Sequence, residues 1–153
     1  MKDKKASLIY IMLTIVIWQL SVSLSNILGK SFYIGDFFSI LPVINKGAAF
    51  GIFNNNPYIL GGLGVVVIFS TVFYVFRKIT FEDRMKILVL STFTSGILGN
   101  TTERFLNGFV NDFIKINFFE FPVFNIFDIL ITGSIFLYIL FCIKEEFLKR
   151  VKN

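Results

Sequence analysis

The sequence predicts an all-α membrane protein, with four transmembrane helices carrying a small extracytoplasmic β-cradle. Three observations predict it. Apolar residues make up 55% of 153 residues, 21 of them Phe. A soluble domain of this size cannot hide that much apolar surface, whereas a bilayer accepts it on the outside of a helix bundle. Four segments have the length and apolar character of spans, and the cations are distributed unevenly between their connections.

A crossing helix needs about 20 mostly apolar residues. Segments near 8–28, 58–76, 87–105 and 124–143 meet that need, and residues 1–153 are expected to form a single integral membrane domain. The first and third segments also carry Gln19, Asn26, Asn100 and Glu103. The basic start through Lys5 resembles a signal peptide, but the apolar stretch behind it exceeds the usual core of about 7–15 residues, so the first span is read as retained.

With the N-terminus placed in the cytoplasm, the cytoplasmic pieces hold Lys2, Lys4, Lys5, Arg77, Lys78, Arg84, Lys86, Lys144, Lys149, Arg150 and Lys152. The opposite side holds Lys30, Lys46, Arg104 and Lys115. This bias of eleven to four orients both termini to the cytoplasm and the connections near 29–57 and 106–123 to the outside. Topology thus accounts for the net charge of +5, and no nucleic-acid partner is expected. The outer connections contain short β-prone, Phe-rich runs, with Gly35 and Pro42 as breakers in the first. They predict a small sheet resting on the outer leaflet, its aromatics at the membrane–water boundary.

The chain has no His. That excludes the Ser-His-Asp triad, the Cys-His pair and H-E-x-x-H zinc sites. The single cysteine, Cys142, lies in the last apolar run and reads as a small apolar helix residue.

Polar residues inside a bilayer are costly and normally mark a site. Three clusters stand out. Asn45-Lys-Gly-Ala-Ala-Phe-Gly51 has little side-chain bulk, so either a peptide backbone approaches it or it is a tight turn before the second span. In the second cluster, Gly96, Asn100 and Arg104 follow at intervals of four and line one helix face. Ser95 and Gly99 form a small-xxx-small pair, and Glu103 either pairs with Arg104 or takes part in chemistry. The third, Phe124-Asn-Ile-Phe-Asp128, puts Asn125 and Asp128 on one face, as helix caps or as site residues. Asp112 and Asp128 flank the second outer connection. Two carboxylates brought close do not both ionise easily, so the pair supplies a general base and a general acid without histidine.

Together these clusters resemble lipoprotein signal peptidase, the type II signal peptidase of bacteria. The resemblance rests on Asn45-x-Gly47-Ala-Ala49-Phe-Gly51, Gly96-x-x-Gly99-Asn100-x-x-Glu103-Arg104, Val110-x-Asp112-Phe113 and Phe124-Asn125-x-x-Asp128, in that order, over about residues 8–143. It implies a four-helix bundle with an outer β-cradle, in the bacterial cytoplasmic (inner) membrane, with its active site at the outer face. It implies Asp112 and Asp128 as a catalytic dyad, with Asn45, Gly47, Asn100, Arg104 and Asn125 positioning the substrate or the dyad. The implied substrate is a prolipoprotein whose lipobox cysteine already carries diacylglycerol, cleaved just before that cysteine. Membrane lipids and globomycin-like cyclic peptide inhibitors are the other implied partners, and no metal or cofactor is implied.

The chain departs from the family pattern in places. Trp18-Gln19 stands where relatives have Asp-Gln, and Val22 where they have Lys; Glu103 replaces Asp and Phe127 replaces Ala. Trp18 and Val22 keep a second reading open, a weakened or inactive relative that binds lipoproteins or signal peptides. Phe127 is expected to narrow the pocket beside Asp128. A small transporter using Asn100, Glu103 and Asp128 as an ion path is a third reading, although it leaves the outer placement of both aspartates without a purpose.

Overall fold

The computed structural model describes residues 3–28, 32–33, 35–47 and 56–152. Ala48, Ala49 and Gly51 of the first glycine-rich cluster lie outside them, as does Lys30. The four helices are α1 (Lys4–Leu28), α2 (Pro57–Lys78), α3 (Arg84–Asn107) and α4 (Ile126–Lys152). Helices α1, α2 and α4 are long and apolar enough to cross a membrane. Helix α3 has 24 residues, about 36 Å at 1.5 Å per residue, but is less apolar, and several of its polar side chains are buried inside the bundle.

The packing explains that difference. Helix α3 lies among α1, α2 and α4, and buries Ser91, Thr94, Ser95, Asn100 and Thr101. A hydroxyl in hydrocarbon needs a partner, and Tyr10, Thr94 and Ser95 find theirs in one another or in a backbone carbonyl along the α1–α3 seam. Tyr10 and Thr94 share a hydrogen bond of 2.8 Å, and Ser95 Oγ donates to the carbonyls of Thr14 (2.9 Å) and Ser91 (2.7 Å). Outward surfaces are apolar, with Leu8, Leu20, Val66, Phe69 and Phe136 all exposed, as a lipid-facing bundle requires.

At one end of the bundle, Asp3 joins α1 to the α2–α3 turn. Its carboxylate accepts the amides of Lys5 (2.9 Å) and Ala6 (3.1 Å), capping α1, and the amide of Phe81 (2.7 Å) across the turn. Lys5 and Arg84 lie over the Phe81 ring. Asp83 accepts from the Thr80 amide and hydroxyl, each at 3.0 Å, and from Lys86 at 2.9 Å. The Thr80 amide and the Lys86 ammonium hold its carboxyl down at about 2.

At the other end lies an antiparallel sheet of β1 (Phe32–Tyr33), β2 (Phe38–Asn45) and β3 (Val110–Ile116), in the order β1-β2-β3. Gly35, with φ 130°, lies between β1 and β2 in a conformation side-chain-bearing residues avoid. Pro42 does not break the chain as the sequence suggests. It sits inside β2, where the register with β3 slips between Ile40 and Val43, the kind of irregularity that tolerates a missing N–H. Gly108, with φ 76°, ends α3 by donating its amide to the Arg104 carbonyl at 3.1 Å, and β3 begins two residues later. Edge-to-face rings run from Phe37 through Phe118, Phe119 and Phe121 to Phe124. This exposed aromatic rail suits a membrane–water boundary.

Candidate active site

Three elements converge beneath the sheet. Strand β3 contributes Asp112, α3 contributes Asn100 and Arg104, and the start of α4 contributes Asn125 and Asp128. The end of β2 and the residues after it add Asn45 and Gly47. All seven line one cavity of about 900 Å³ except Asn125, which is buried behind it.

Asn125 is the hub. Its side-chain amide donates to Asp112 Oδ1 at 2.9 Å and to Asn100 Oδ1 at 3.0 Å. Its own backbone N–H donates to Asp128 Oδ2 at 3.1 Å, while its Oδ1 accepts the Asp128 N–H at 3.0 Å. That reciprocal pair is a capping box at the first turn of α4. The capping reading of this cluster therefore holds, and the capped Asp128 also lines the cavity that Asp112 lines. The second Asp128 oxygen, Oδ1, accepts from Asn100 Nδ2 at 2.8 Å.

The other oxygen of Asp112, Oδ2, accepts from Asn45 Nδ2 at 2.8 Å. Asn45 is fixed in turn by the Gly47 amide, which donates to its Oδ1 at 2.9 Å. Arg104 spans the two sides, donating to the carbonyl of Asn100 and to that of Gly47, each at 3.2 Å. Its Nε is buried with no partner among the described residues, a polar group that normally finds one.

Both aspartates thus hang from one asparagine. Asp112 is 3% exposed, and burial pushes its carboxyl from 3.8 up to about 6. The Asp128 and Glu103 carboxylates push the same way, against the hydrogen bonds from Asn45 and Asn125. A buried carboxyl raised to about 6 with a second carboxylate on the same cavity is an arrangement suited to acid–base chemistry.

Several expectations change in detail. Glu103 forms no ion pair with Arg104; the described pairs are Lys86–Asp83 and Arg150–Glu146. Glu103 Oε2 instead accepts the Asn111 amide at 2.7 Å. Phe127 does not narrow the cavity, because it is absent from the lining and fully buried against Gly99 on α3. The small residues facing α4 are Gly96 and Gly99, while Ser95 turns toward α1. Trp18 and Val22 do not line the cavity, and the Trp18 indole N–H is buried without a partner among the described residues.

Sequence reasoning passed over the apolar part of the lining, and Thr132 beside it. Val43 and Ile44 come from β2, Phe121 and Phe124 from the aromatic rail, and Ile129 and Thr132 from α4. Thr132 follows Asp128 by four residues on the same helix face, and that spacing was the available signal.

A family model described as signal peptidase (SPase) II matches residues 7–144. The chain is similar to the lipoprotein signal peptidase of Clostridium tetani (strain Massachusetts / E88), with 40% identity over 116 residues, 74% of each chain. It is also similar to that of Streptococcus thermophilus (strain CNRZ 1066), with 35% identity over 109 residues, 71% of each chain. Two solved structures, both described as a bacterial membrane enzyme, share the fold. One has a TM-score of 0.77 at 27% identity, covering 90% of this chain and 88% of the other. The second has a TM-score of 0.75 at 26% identity, covering 88% and 92%. A match to the family model over nearly the whole length, with relatives alike over about three quarters of theirs, places this chain in the signal peptidase II family, the lipoprotein signal peptidases.

Proposed function

We propose that this chain is an active intramembrane aspartic endopeptidase that removes the signal peptide of diacylglyceryl-modified prolipoproteins. The observation that carries the reading is the suspension of Asp112 and Asp128 from Asn125, with both carboxylates opening on one cavity. One carboxylate, ionised, takes a proton from water as the water oxygen attacks the scissile carbonyl carbon. The other, protonated, donates to the carbonyl oxygen and stabilises the tetrahedral intermediate. Collapse of that intermediate breaks the C–N bond, and the amine of the lipidated cysteine leaves with a proton returned from the dyad.

The rest of the cavity supports the assignment of substrate. Asn45, Gly47, Asn100 and Arg104 form a polar strip beside the dyad for the peptide backbone, and the Arg104 guanidinium is placed to meet a substrate carbonyl. Val43, Ile44, Val123, Phe124 and Ile129 form an apolar wall suited to the residues around the lipobox and to the start of the acyl chains. Held in the bilayer, the signal helix and the diacylglyceryl chains meet the site at high local concentration. The positive-inside bias supports a multi-pass protein of the bacterial inner membrane, with both termini in the cytoplasm and the cavity at the outer face. Globomycin-like cyclic peptides compete for the same cavity. Trp18 and Val22 leave the dyad intact because neither lines the cavity, which favours activity over a binding-only role.

The test uses purified protein in lipid with a diacylglyceryl-modified lipobox peptide and the same peptide lacking the lipid. Wild type is expected to cut before the lipidated cysteine and to spare the unmodified peptide. Asp112→Asn and Asp128→Asn are each expected to lower the rate by about 10³-fold or more, within the range of lost acid–base catalysis. Cleavage by either variant at the wild-type rate would remove the aspartic mechanism. Binding by the wild type with no cleavage would restore the binding-only reading.

A further inference from the structure

Among the described residues β3 is the edge strand of its sheet, met on its outer side by no further strand and only by the single bridge Ile114–Phe124. The two amides flanking Asp112 are nevertheless occupied, and each binds a different helix region. The Asn111 N–H donates to Glu103 Oε2 on α3 at 2.7 Å, and the Phe113 N–H donates to the Phe124 carbonyl, just before α4, at 3.0 Å. Ile114 adds a second amide on the Phe124 carbonyl at 2.8 Å. Asp112 therefore hangs between two clamps, one on the helix that carries Asn100 and Arg104 and the other beside Asn125 and Asp128.

We propose that Glu103 is a positioning residue, anchoring β3 to α3 so that Asp112 keeps its place opposite Asp128. This rests on the dyad reading given above. The contact is short and charge-assisted, the stronger class of hydrogen bond. No ion pair with a described residue competes for the Glu103 carboxylate. Glu103 lies outside the lining of the catalytic cavity and faces a separate polar pocket of about 240 Å³ with Ser25, Asn26, Pro42, Asn111 and Phe113. Ser25 Oγ is buried there without a partner among the described residues. That pocket has room for water, so when the carboxylate is removed, water can take over the Asn111 amide and the fold survives. What is lost is the fixed distance between β3 and α3. A misplacement of about 1 Å at a reacting group costs on the order of 10²-fold in rate.

The experiment compares Glu103→Ala with Glu103→Gln, since glutamine keeps an acceptor oxygen at the same reach. The alanine variant is expected to lose about 10–100-fold in kcat with KM within about twofold of wild type. The glutamine variant is expected to recover most of that loss. Hydrogen–deuterium exchange over residues 110–114 gives a readout independent of cleavage, and exchange is expected to quicken about tenfold in Glu103→Ala but not in Glu103→Gln. Wild-type kcat in the alanine variant, equal impairment of both variants, a loss confined to KM, or unchanged exchange would each overturn the proposal. Glu103→Ser repeats the comparison if the alanine variant does not fold, and failure of both to fold would also overturn it. Faster exchange in the alanine variant alongside a wild type that cleaves nothing would spare the anchor and remove the peptidase reading.

Discussion

Replacing Asp112 with asparagine is expected to make the protein more stable at neutral pH while removing its activity. The folded carboxyl holds its proton to about 6, whereas the unfolded one releases it near 3.8. The folded state therefore has its full advantage below about pH 4 and loses it as the pH rises through 6. Between 3.8 and about 6, the cost of burying the carboxylate grows to about 3 kcal/mol. Asparagine never ionises and avoids that cost. It gives up something in exchange, because Asn45 and Asn125 both donate to the Asp112 oxygens and an amide offers only one acceptor. One mispaired donor costs about 1–2 kcal/mol. The balance at pH 8 is a gain of about 1–2 kcal/mol, roughly 3–6 °C in Tm for a chain of this size. At pH 4.5 most of the gain is gone and the variant is equal to wild type or slightly weaker. Thermal unfolding in lipid nanodiscs at the two pH values, followed by the fluorescence of the single tryptophan, Trp18, reads both. A Tm difference that does not change with pH, or a variant weaker at pH 8 than at pH 4.5, would refute the reasoning.

Other outcomes follow from the same geometry. A methyl group at Gly99 would run into the Phe127 ring, so Gly99→Ala is expected to cost about 2–3 kcal/mol, with Phe127→Ala in the same chain recovering part of it; melting of the single and double variants checks this. Arg104→Ala breaks the tie between the Asn100 and Gly47 carbonyls and removes the cation from the cavity, so kcat/KM for the lipidated peptide should fall about 10²-fold, with lysine restoring little. Asp3→Ala should lower Tm and leave kcat unchanged, since Asp3 ties α1 to the Phe81 turn at the end of the bundle away from the dyad; a changed kcat would show coupling between the ends.

The parts of this fold legible in the sequence are those that repeat a physical rule along the chain. Apolar length marked the helices, and Phe-rich β-prone runs marked the sheet. Helix α3 was legible despite Ser91, Ser95 and Asn100 because a span's polar residues turn inward. The candidate site was legible because Asn100, Asp112, Asn125 and Asp128 are too polar for their setting, and the ordered motifs pointed to one family. What stayed hidden depends on which partner each side chain meets in space. Spacing put Glu103 beside Arg104, but only the path of β3 shows that its carboxylate turns to the Asn111 amide. Phe127 looked like an obstruction because its position adjoins Asp128, yet its ring packs on Gly99, and the absent side chain there makes the room. Pro42 reads as a breaker unless the register slip beside it is known.

The central claim is that Asp112 and Asp128 work as one unit. Its most direct measurement is the cleavage rate of Asp112→Asn, Asp128→Asn and the double variant on one diacylglyceryl-modified peptide, under conditions where all three are folded. Groups that act together lose their effect together, so the double variant is expected to be no slower than either single one. Losses that multiply, or a single variant that keeps most of the wild-type rate, would contradict the claim.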